Sequence, residues 1–231
     1  MGNLSIVLSS YNEVENIKFA IDALVNQSVV KEIIIIDDNS SDGTVDILKK
    51  YNHSKIKFVV RKNIRGFASA FIDGIKLCSG EYILRFDIDM FNSIDHFIKT
   101  FENIKNEDCI IFSRYVENAF DERSQYRRLP SLIINKLCQL FLYSQIKDYT
   151  SCIIIFKRNI LTDIFPKNTF YANFIIDFIF EIKKNNKIIK EVPFIQEKNT
   201  ELNSKSAPSI LKFLTNGLYY LISILRCSLN K

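Results

Sequence analysis

Residues 33–36 are four consecutive isoleucines that run straight into the acidic pair Asp37-Asp38. An extended segment that is apolar at every position has two faces to bury. The sheets that bury both faces are parallel ones covered by helices on either side. Strand-like runs recur at 4–9, 56–60, 81–86 and 109–112. Between them lie segments with helical spacing at 14–26, 44–50, 67–78 and 94–104; the first places Val14, Ile17, Ala20, Ile21 and Leu24 on one face. Asp42-Gly43 reads as a turn with Thr44 capping the helix that follows. This alternation predicts an α/β fold with a mostly parallel sheet and flanking helices.

After residue 118 the character changes. Residues 117–128 carry both signs of charge and read as an exposed loop. An apolar helix is expected over 130–143, a strand over 151–156, a helix over 174–184 and a strand over 187–192 closed by Pro193. Residues 200–207 are polar and read as mobile. A last apolar helix covers 210–225. It is shorter than the roughly 20 apolar residues a spanning helix needs, so it is expected to lie in a membrane interface, or else to serve as a core or dimer helix against a second copy of the chain.

Composition narrows the function classes. Hydrophobic residues make up 47% of the chain and 19 residues are Phe, ample for a core at 231 residues. The net charge of +5 is spread along the chain, which argues against nucleic acid and for weak attraction to anionic lipid or phosphate. Five cysteines at no metal-ligand spacing read as free thiols of a reducing compartment. The N-terminus enters a strand pattern with no basic leader, so a cytoplasmic protein is expected.

Acidic residues gather where parallel sheets bind ligands, at the carboxyl ends of strands. One strand ends in Asp37-Asp38, another in Asp87-Ile88-Asp89. On an extended segment, residues two apart point to one side. Two close carboxylates repel unless a cation lies between them, and hard oxygen ligands suit Mg²⁺ or Mn²⁺; Asp87 and Asp89 are expected to converge with Asp38 in one cleft and cage such an ion. The plain alternative is a pair of solvated loop aspartates. At the end of the first strand, Tyr11 can stack on a base or ribose, and Glu13 and Asp38 can accept hydrogen bonds from a base or ribose. A simple turn before a helix is the competing reading. Gly66 opens a helix with a small residue, as close approach of a ligand requires. Neither a P-loop nor a dinucleotide fingerprint is present.

Together these pieces resemble the family 2 glycosyltransferases, within them the dolichyl-phosphate mannosyltransferase-like branch, over roughly residues 3–205. The resemblance is carried by Ser-Tyr-Asn-Glu at 10–13, Ile-Asp-Asp-Asn-Ser at 36–40, Asp-Gly-Thr at 42–44 and the Gly66 region. It continues through Ser-Gly-Glu-Tyr-Ile at 79–83, Asp-Ile-Asp at 87–89 and Ser-Arg-Tyr at 113–115. Arg127-Arg128-Leu129, Asp-Tyr-Thr-Ser at 148–151 and Glu-Val-Pro at 191–193 complete it. It implies a GT-A fold in one domain, residues 1–206, with a nucleotide-sugar half at 1–117, an acceptor half at 118–206 and a C-terminal amphipathic helix at 207–231.

The implied reaction moves one sugar, with inversion, from a nucleotide-diphosphate sugar to a polyprenyl phosphate at the inner face of a membrane. Ser9, Tyr11, Glu13, Ile36 and Asp38 would line the nucleotide site, with Asp87 and Ile88 beside the donor. Asp87 and Asp89 would hold the metal, Asp89 more directly. Arg114 and Arg128 match acceptor-phosphate positions, and Lys205 matches a lysine that reaches the donor phosphates. Asp177 stands where the family has a Glu and is the candidate general base if the acceptor is a glycan hydroxyl. Departures gather in the acceptor half, where Cys152 and Ile154 replace a glycine and an arginine. In the donor half Ser9 replaces a proline, and Asn39 replaces a glycine but tolerates positive φ. Lack of Trp excludes the motif of processive synthases. The other readings are transfer to a glycan hydroxyl in surface-polysaccharide assembly, a sugar-nucleotide pyrophosphorylase and an inactive nucleotide-sugar-binding module.

Overall fold

A computed structural model describes residues 3–63, 65–166, 172–198 and 210–231. In chain order the elements are β1 (Leu4–Ser10), α1 (Ile17–Val25), β2 (Val30–Asp37), α2 (Thr44–Lys50), β3 (Ile56–Val60), α3 (Phe67–Lys76) and β4 (Tyr82–Arg85). A 3-10 turn (Ile88–Ser93) leads into α4 (Ile94–Glu102), β5 (Cys109–Ser113), β6 (Phe120–Asp121) and α5 (Gln125–Phe141). Then come β7 (Ile154–Lys157), a second 3-10 turn (Arg158–Thr162), α6 (Phe174–Lys184), β8 (Ile189–Pro193), β9 (Ile195–Gln196) and α7 (Ile210–Leu229). The chain divides into two compact units, Met1–Asn106 with Ile153–Asp163, and Glu107–Cys152 with Ile164–Lys231.

In the first unit the strand order is β3-β2-β1-β4-β7. The first four run parallel and β7 runs antiparallel to β4, which returns residues 153–163 to this unit. Leu4, Ile6, Val7 and Leu8 of β1 and the four isoleucines of β2 are fully buried, as a strand covered on both faces requires. Ile17, Ala20, Ile21 and Leu24 turn the apolar stripe of α1 inward. Helix α3 lies so close to β1 that a Cβ on Gly74 would stand 2.4 Å from Val7 Cγ1.

The second unit pairs β5 with β8 and β6 with β9, both parallel. Helix α7 packs against α5 and α6. Among the described residues no helix is long and apolar enough to cross a membrane.

Several boundaries differ from the sequence reading, each for a local reason. Helix α1 begins at Ile17, because the amides at 13 and 14 donate to Thr44 and Asp42 across the sheet edge. Thr44 therefore does not cap α2; Gly43 occupies the cap position, with φ 104°. Helix α5 starts at Gln125 and carries Pro130 inside it, so Arg127 and Arg128 lie in its first turn and not in a loop. Asn39 adopts the positive φ its side chain tolerates, 58°. All five cysteines are free, four of them buried.

One buried carboxylate braces the far edge of the first unit. Glu32 accepts hydrogen bonds from Ser5 Oγ (2.7 Å), Ser79 N (2.6 Å), Ser79 Oγ (2.9 Å) and Lys57 Nζ (2.7 Å). Burial alone would raise its pKa, but Lys57 and the serine donors outweigh it and hold the group at about 2. The folded pKa thus lies below the unfolded one. The stability Glu32 confers is complete above about pH 4.3 and is lost as the pH falls through about 2. Glu32→Gln should lower unfolding free energy at neutral pH by about 1–3 kcal/mol and flatten the acid limb of the denaturation profile. An unchanged limb by urea titration from pH 2 to 5 would contradict this.

Candidate active site

Because β2, β1 and β4 are parallel neighbours, their carboxyl ends open on one edge of the first unit. The loop after β1 is stitched to the loop after β2. Asn12 N donates to Ser40 Oγ (2.8 Å), Ser41 N to Asn12 Oδ1 (2.9 Å) and Glu13 N to Thr44 Oγ1 (2.9 Å). Asp37 accepts from both the amide and the hydroxyl of Ser40, so the first member of the acidic pair is a loop brace.

Asp38 is also committed. Its Oδ1 accepts from Arg61 Nε (2.7 Å) and its Oδ2 from the Gly66 amide (2.8 Å), all at a buried site. Both carboxylate oxygens of Asp38 are thus engaged, and among the described residues it is not grouped with residues 87 and 89 as a three-carboxylate cage. Among the described residues no group of three or more His, Cys, Asp or Glu is arranged to hold a metal. The role of Gly66 is accordingly to place its amide on Asp38. Tyr11 presents its ring to Arg65, whose Cζ lies 3.8 Å from the ring centroid.

The Asp-Ile-Asp segment does not use strand alternation. Asp87 is extended, whereas Ile88 and Asp89 open the 3-10 turn, and the Ile88 side chain is buried. The two carboxylates are neighbours all the same. Burial, together with the charges of Asp87 and Glu13, pushes the Asp89 carboxyl up to about 7, and the Arg85 guanidinium offsets only part of that. Asp87 pairs with Arg85, itself almost fully buried with its guanidinium 4.1 Å from the Phe67 ring centroid. Among the described residues Asp89 Oδ1 is buried with no hydrogen-bond partner, and so are the hydroxyls of Ser9 and Ser10 at the end of β1. An unpartnered buried carboxylate oxygen beside two further carboxylates is costly unless a cation arrives. The donor set fits a hard divalent ion. Ile36 is wholly buried in β2.

In the second unit, Arg114 is buried in a bidentate pair: its Nε donates to Asp148 Oδ2 and its Nη2 to Asp148 Oδ1, both at 2.8 Å. Nη2 also donates to Thr150 Oγ1 (2.7 Å). Ser-Arg-Tyr and Asp-Tyr-Thr-Ser are thus two halves of one buried ion pair, and Arg114 is not presented to an acceptor phosphate. Burial would raise the Asp148 pKa, but the Arg114 charge holds it below the usual carboxylate range. Asp177 on α6 pairs with Arg226 and accepts from Ser223 Oγ (3.2 Å) and Cys227 Sγ (3.3 Å). It fastens α7 to α6. Arg128 is half-buried on α5 and makes no ion pair among the described residues. Lys205 lies outside the described residues.

Comparison with known proteins decides the family. Residues 5–165 match the profile described as Glycosyl transferase family 2. The chain belongs to glycosyltransferase family 2. A dolichol-phosphate mannosyltransferase of Pyrococcus furiosus is 28% identical to this family 2 chain over 199 residues, 83% of the chain and 55% of that protein. A poly(ribitol-phosphate) beta-glucosyltransferase of Bacillus spizizenii is 40% identical over 92 residues, 37% of the chain and 14% of its own length. The chain thus spans about half of the first relative and a small part of the second. Among solved structures, glucosyl-3-phosphoglycerate synthase of Mycobacterium tuberculosis, in complex with Mn²⁺, UDP-glucose and phosphoglyceric acid, superposes with a TM-score of 0.72. It covers 98% of this chain and 80% of its own at 15% identity, a likeness of fold. The family 2 chain therefore has the GT-A-like α/β architecture.

Four residues of this family 2 domain were not singled out from sequence: Arg61, Arg65, Arg85 and Asp148. Their partners lie up to 54 residues away, as Tyr11 does from Arg65, and no periodicity announces them. Removing the Asp148 charge strands a buried guanidinium. Asp148→Asn should therefore cost about 3–5 kcal/mol, measured by chemical denaturation, and the double variant Arg114→Met/Asp148→Leu should cost less. Equal losses would contradict the buried-pair account.

Proposed function

We propose that this chain transfers one hexose, with inversion, from a nucleoside-diphosphate sugar to a polyprenyl phosphate. The observation that carries the reading is the buried, unpartnered oxygen of Asp89 beside Asp87 and Glu13. Asp89 and Asp87 would hold a Mg²⁺ or Mn²⁺. When bound, the ion supplies positive charge against the leaving diphosphate. Ser9, Tyr11 and Glu13 would bind the nucleoside, with Asp38 keeping Arg61 and Gly66 in place beneath it. Backbone at Ile36 and Ile88 would complete the floor. Lys205 is assigned to the donor phosphates and Arg128 to the acceptor.

A phosphate acceptor suits this residue set. Its second pKa is about 6, so it arrives largely ionised and needs positioning more than deprotonation. A glycan hydroxyl needs a general base, and Asp177 is already paired with Arg226. The dolichol-phosphate mannosyltransferase relative supports the lipid phosphate. The 40% identity to the poly(ribitol-phosphate) enzyme supports the second reading, transfer to a glycan hydroxyl.

Working at a membrane surface follows from the same reading. Helices α5 and α7 pack together and carry no acidic residue. Leu129, Ile133 and Leu140 of α5 and Leu218, Ile222 and Leu225 of α7 are exposed. Lys136 of α5 and Arg226 of α7 are exposed as well, and basic residues among apolar ones on such helices fit an anionic lipid interface.

Membranes of the source cell supplied with labelled UDP-glucose or GDP-mannose should yield product in the mild-acid-labile lipid fraction, and Asp89→Asn should reduce it at least 100-fold, on the order expected when electrostatic stabilisation is lost. Product confined to polysaccharide would favour the second reading. The full chain should co-sediment with phosphatidylglycerol-containing vesicles but not with pure phosphatidylcholine. Leu218→Asp/Leu225→Asp should release it, and retention would remove the membrane assignment.

A further inference from the structure

Three arginines stand near the ligand edge of the first unit, and two are spent on carboxylates. Arg61 is paired with Asp38 and Asp73, and Arg85 with Asp87. Arg65 makes no such pair among the described residues. Its exposed side chain instead lies over the face of Tyr11, 3.8 Å from the ring centroid. That ring is the aromatic face which the proposed function gives to the nucleoside, so in the free protein the stacking surface is already covered by a cation.

The backbone on both sides of this contact is held. Asn12, next to Tyr11, is tied to Ser40 and Ser41. Gly66, next to Arg65, gives its amide to Asp38, while its carbonyl accepts from Arg61 Nη2 (3.1 Å) and Ser69 Oγ (2.8 Å). The part free to move is the Arg65 side chain. Magnitudes favour its displacement. An exposed cation–π contact is worth about 2- to 5-fold in an equilibrium constant, whereas stacking of a base on an aromatic ring is worth about 5- to 150-fold. A guanidinium that leaves the ring has five donors in a planar fork, suited to a phosphate.

We propose that Arg65 is a cap on the nucleoside subsite that exchanges partners on donor binding: the base takes its place on Tyr11, and the guanidinium moves to the diphosphate. The inference rests on the donor-site reading above. It makes Arg65 a donor-binding residue that couples recognition of the base to neutralisation of the phosphates. Electrostatically the exchange is consistent, because the edge carries Glu13, Asp87 and Asp89 and a diphosphate needs a mobile positive charge to enter beside them.

The test separates the two halves of the nucleotide. Calorimetric titration of the full chain with UDP, GDP, uridine and guanosine, in the presence of Mn²⁺, would be run on the unaltered protein, Arg65→Ala, Arg65→Lys and Tyr11→Ala. Arg65→Ala should weaken the bound diphosphate at least tenfold while leaving the matching nucleoside unchanged or tightening it 2- to 5-fold. Arg65→Lys should recover part of the diphosphate affinity, and Tyr11→Ala should weaken both ligands. Equal weakening of diphosphate and nucleoside by Arg65→Ala, or no change in either, would overturn the exchange while leaving the donor-site reading intact. Binding of neither diphosphate to the unaltered chain would overturn both.

Discussion

β1 runs parallel to β2 on one side and to β4 on the other, and everything chemical in the first unit follows from that pairing. Three successive strands that emerge on one edge bring Tyr11 and Glu13, Asp37 and Asp38, and Asp87 and Asp89 to a common rim. The pairing is itself a consequence of apolar strands that must be covered on both faces, which forces a helix into each connection. Glycines allow the layers to close: Gly74 seats α3 on Val7, and Gly80 lies against Asn3 and Ser5, where a Cβ would meet backbone at 2.6 Å.

The rim is electrostatically uneven. Asp37, Asp38 and Asp42 are neutralised or braced by local donors, so they organise backbone and need no ligand. Asp89 is different, for burial and two like charges raise its pKa to about 7 and among the described residues no donor meets its inner oxygen. Folded chains seldom bury a carboxyl oxygen that way without a use for it. The same contrast runs through the second unit. Arg114 and Asp148 form a buried bidentate pair and hold segments 34 residues apart, whereas Arg128 keeps no carboxylate among the described residues.

Much of the first unit was legible from sequence because its signals are local. Short apolar runs, helical spacing between them and acidic strand ends need only a window of a few residues, and Asn39 announced its own positive φ. The misses share a physical cause, namely partners remote in sequence or a change of backbone geometry. Alternation was assumed for Asp87 and Asp89, but the 3-10 turn begins at Ile88. Pro130 suggested a helix start, but Ser124 and the turn after β6 start it a turn earlier. Arg114 looked like a phosphate ligand because nothing near it in sequence shows that Asp148 will bury it. Nothing near Asp177 in sequence shows that α7 will bring Arg226 to it. The acceptor half, which depends on such contacts, was accordingly the less readable one.

The central claim is that Asp89, with Asp87, is held in readiness for a divalent cation that arrives with a nucleoside diphosphate. Titration of Mn²⁺ followed by the electron paramagnetic resonance of the free ion tests it directly, with the full chain and either UDP or GDP present. The account predicts nucleotide-dependent loss of the free-ion signal in the native chain and at least tenfold weaker binding, about 1.4 kcal/mol, in Asp89→Ala. Equal depletion of free Mn²⁺ by the two proteins would contradict it.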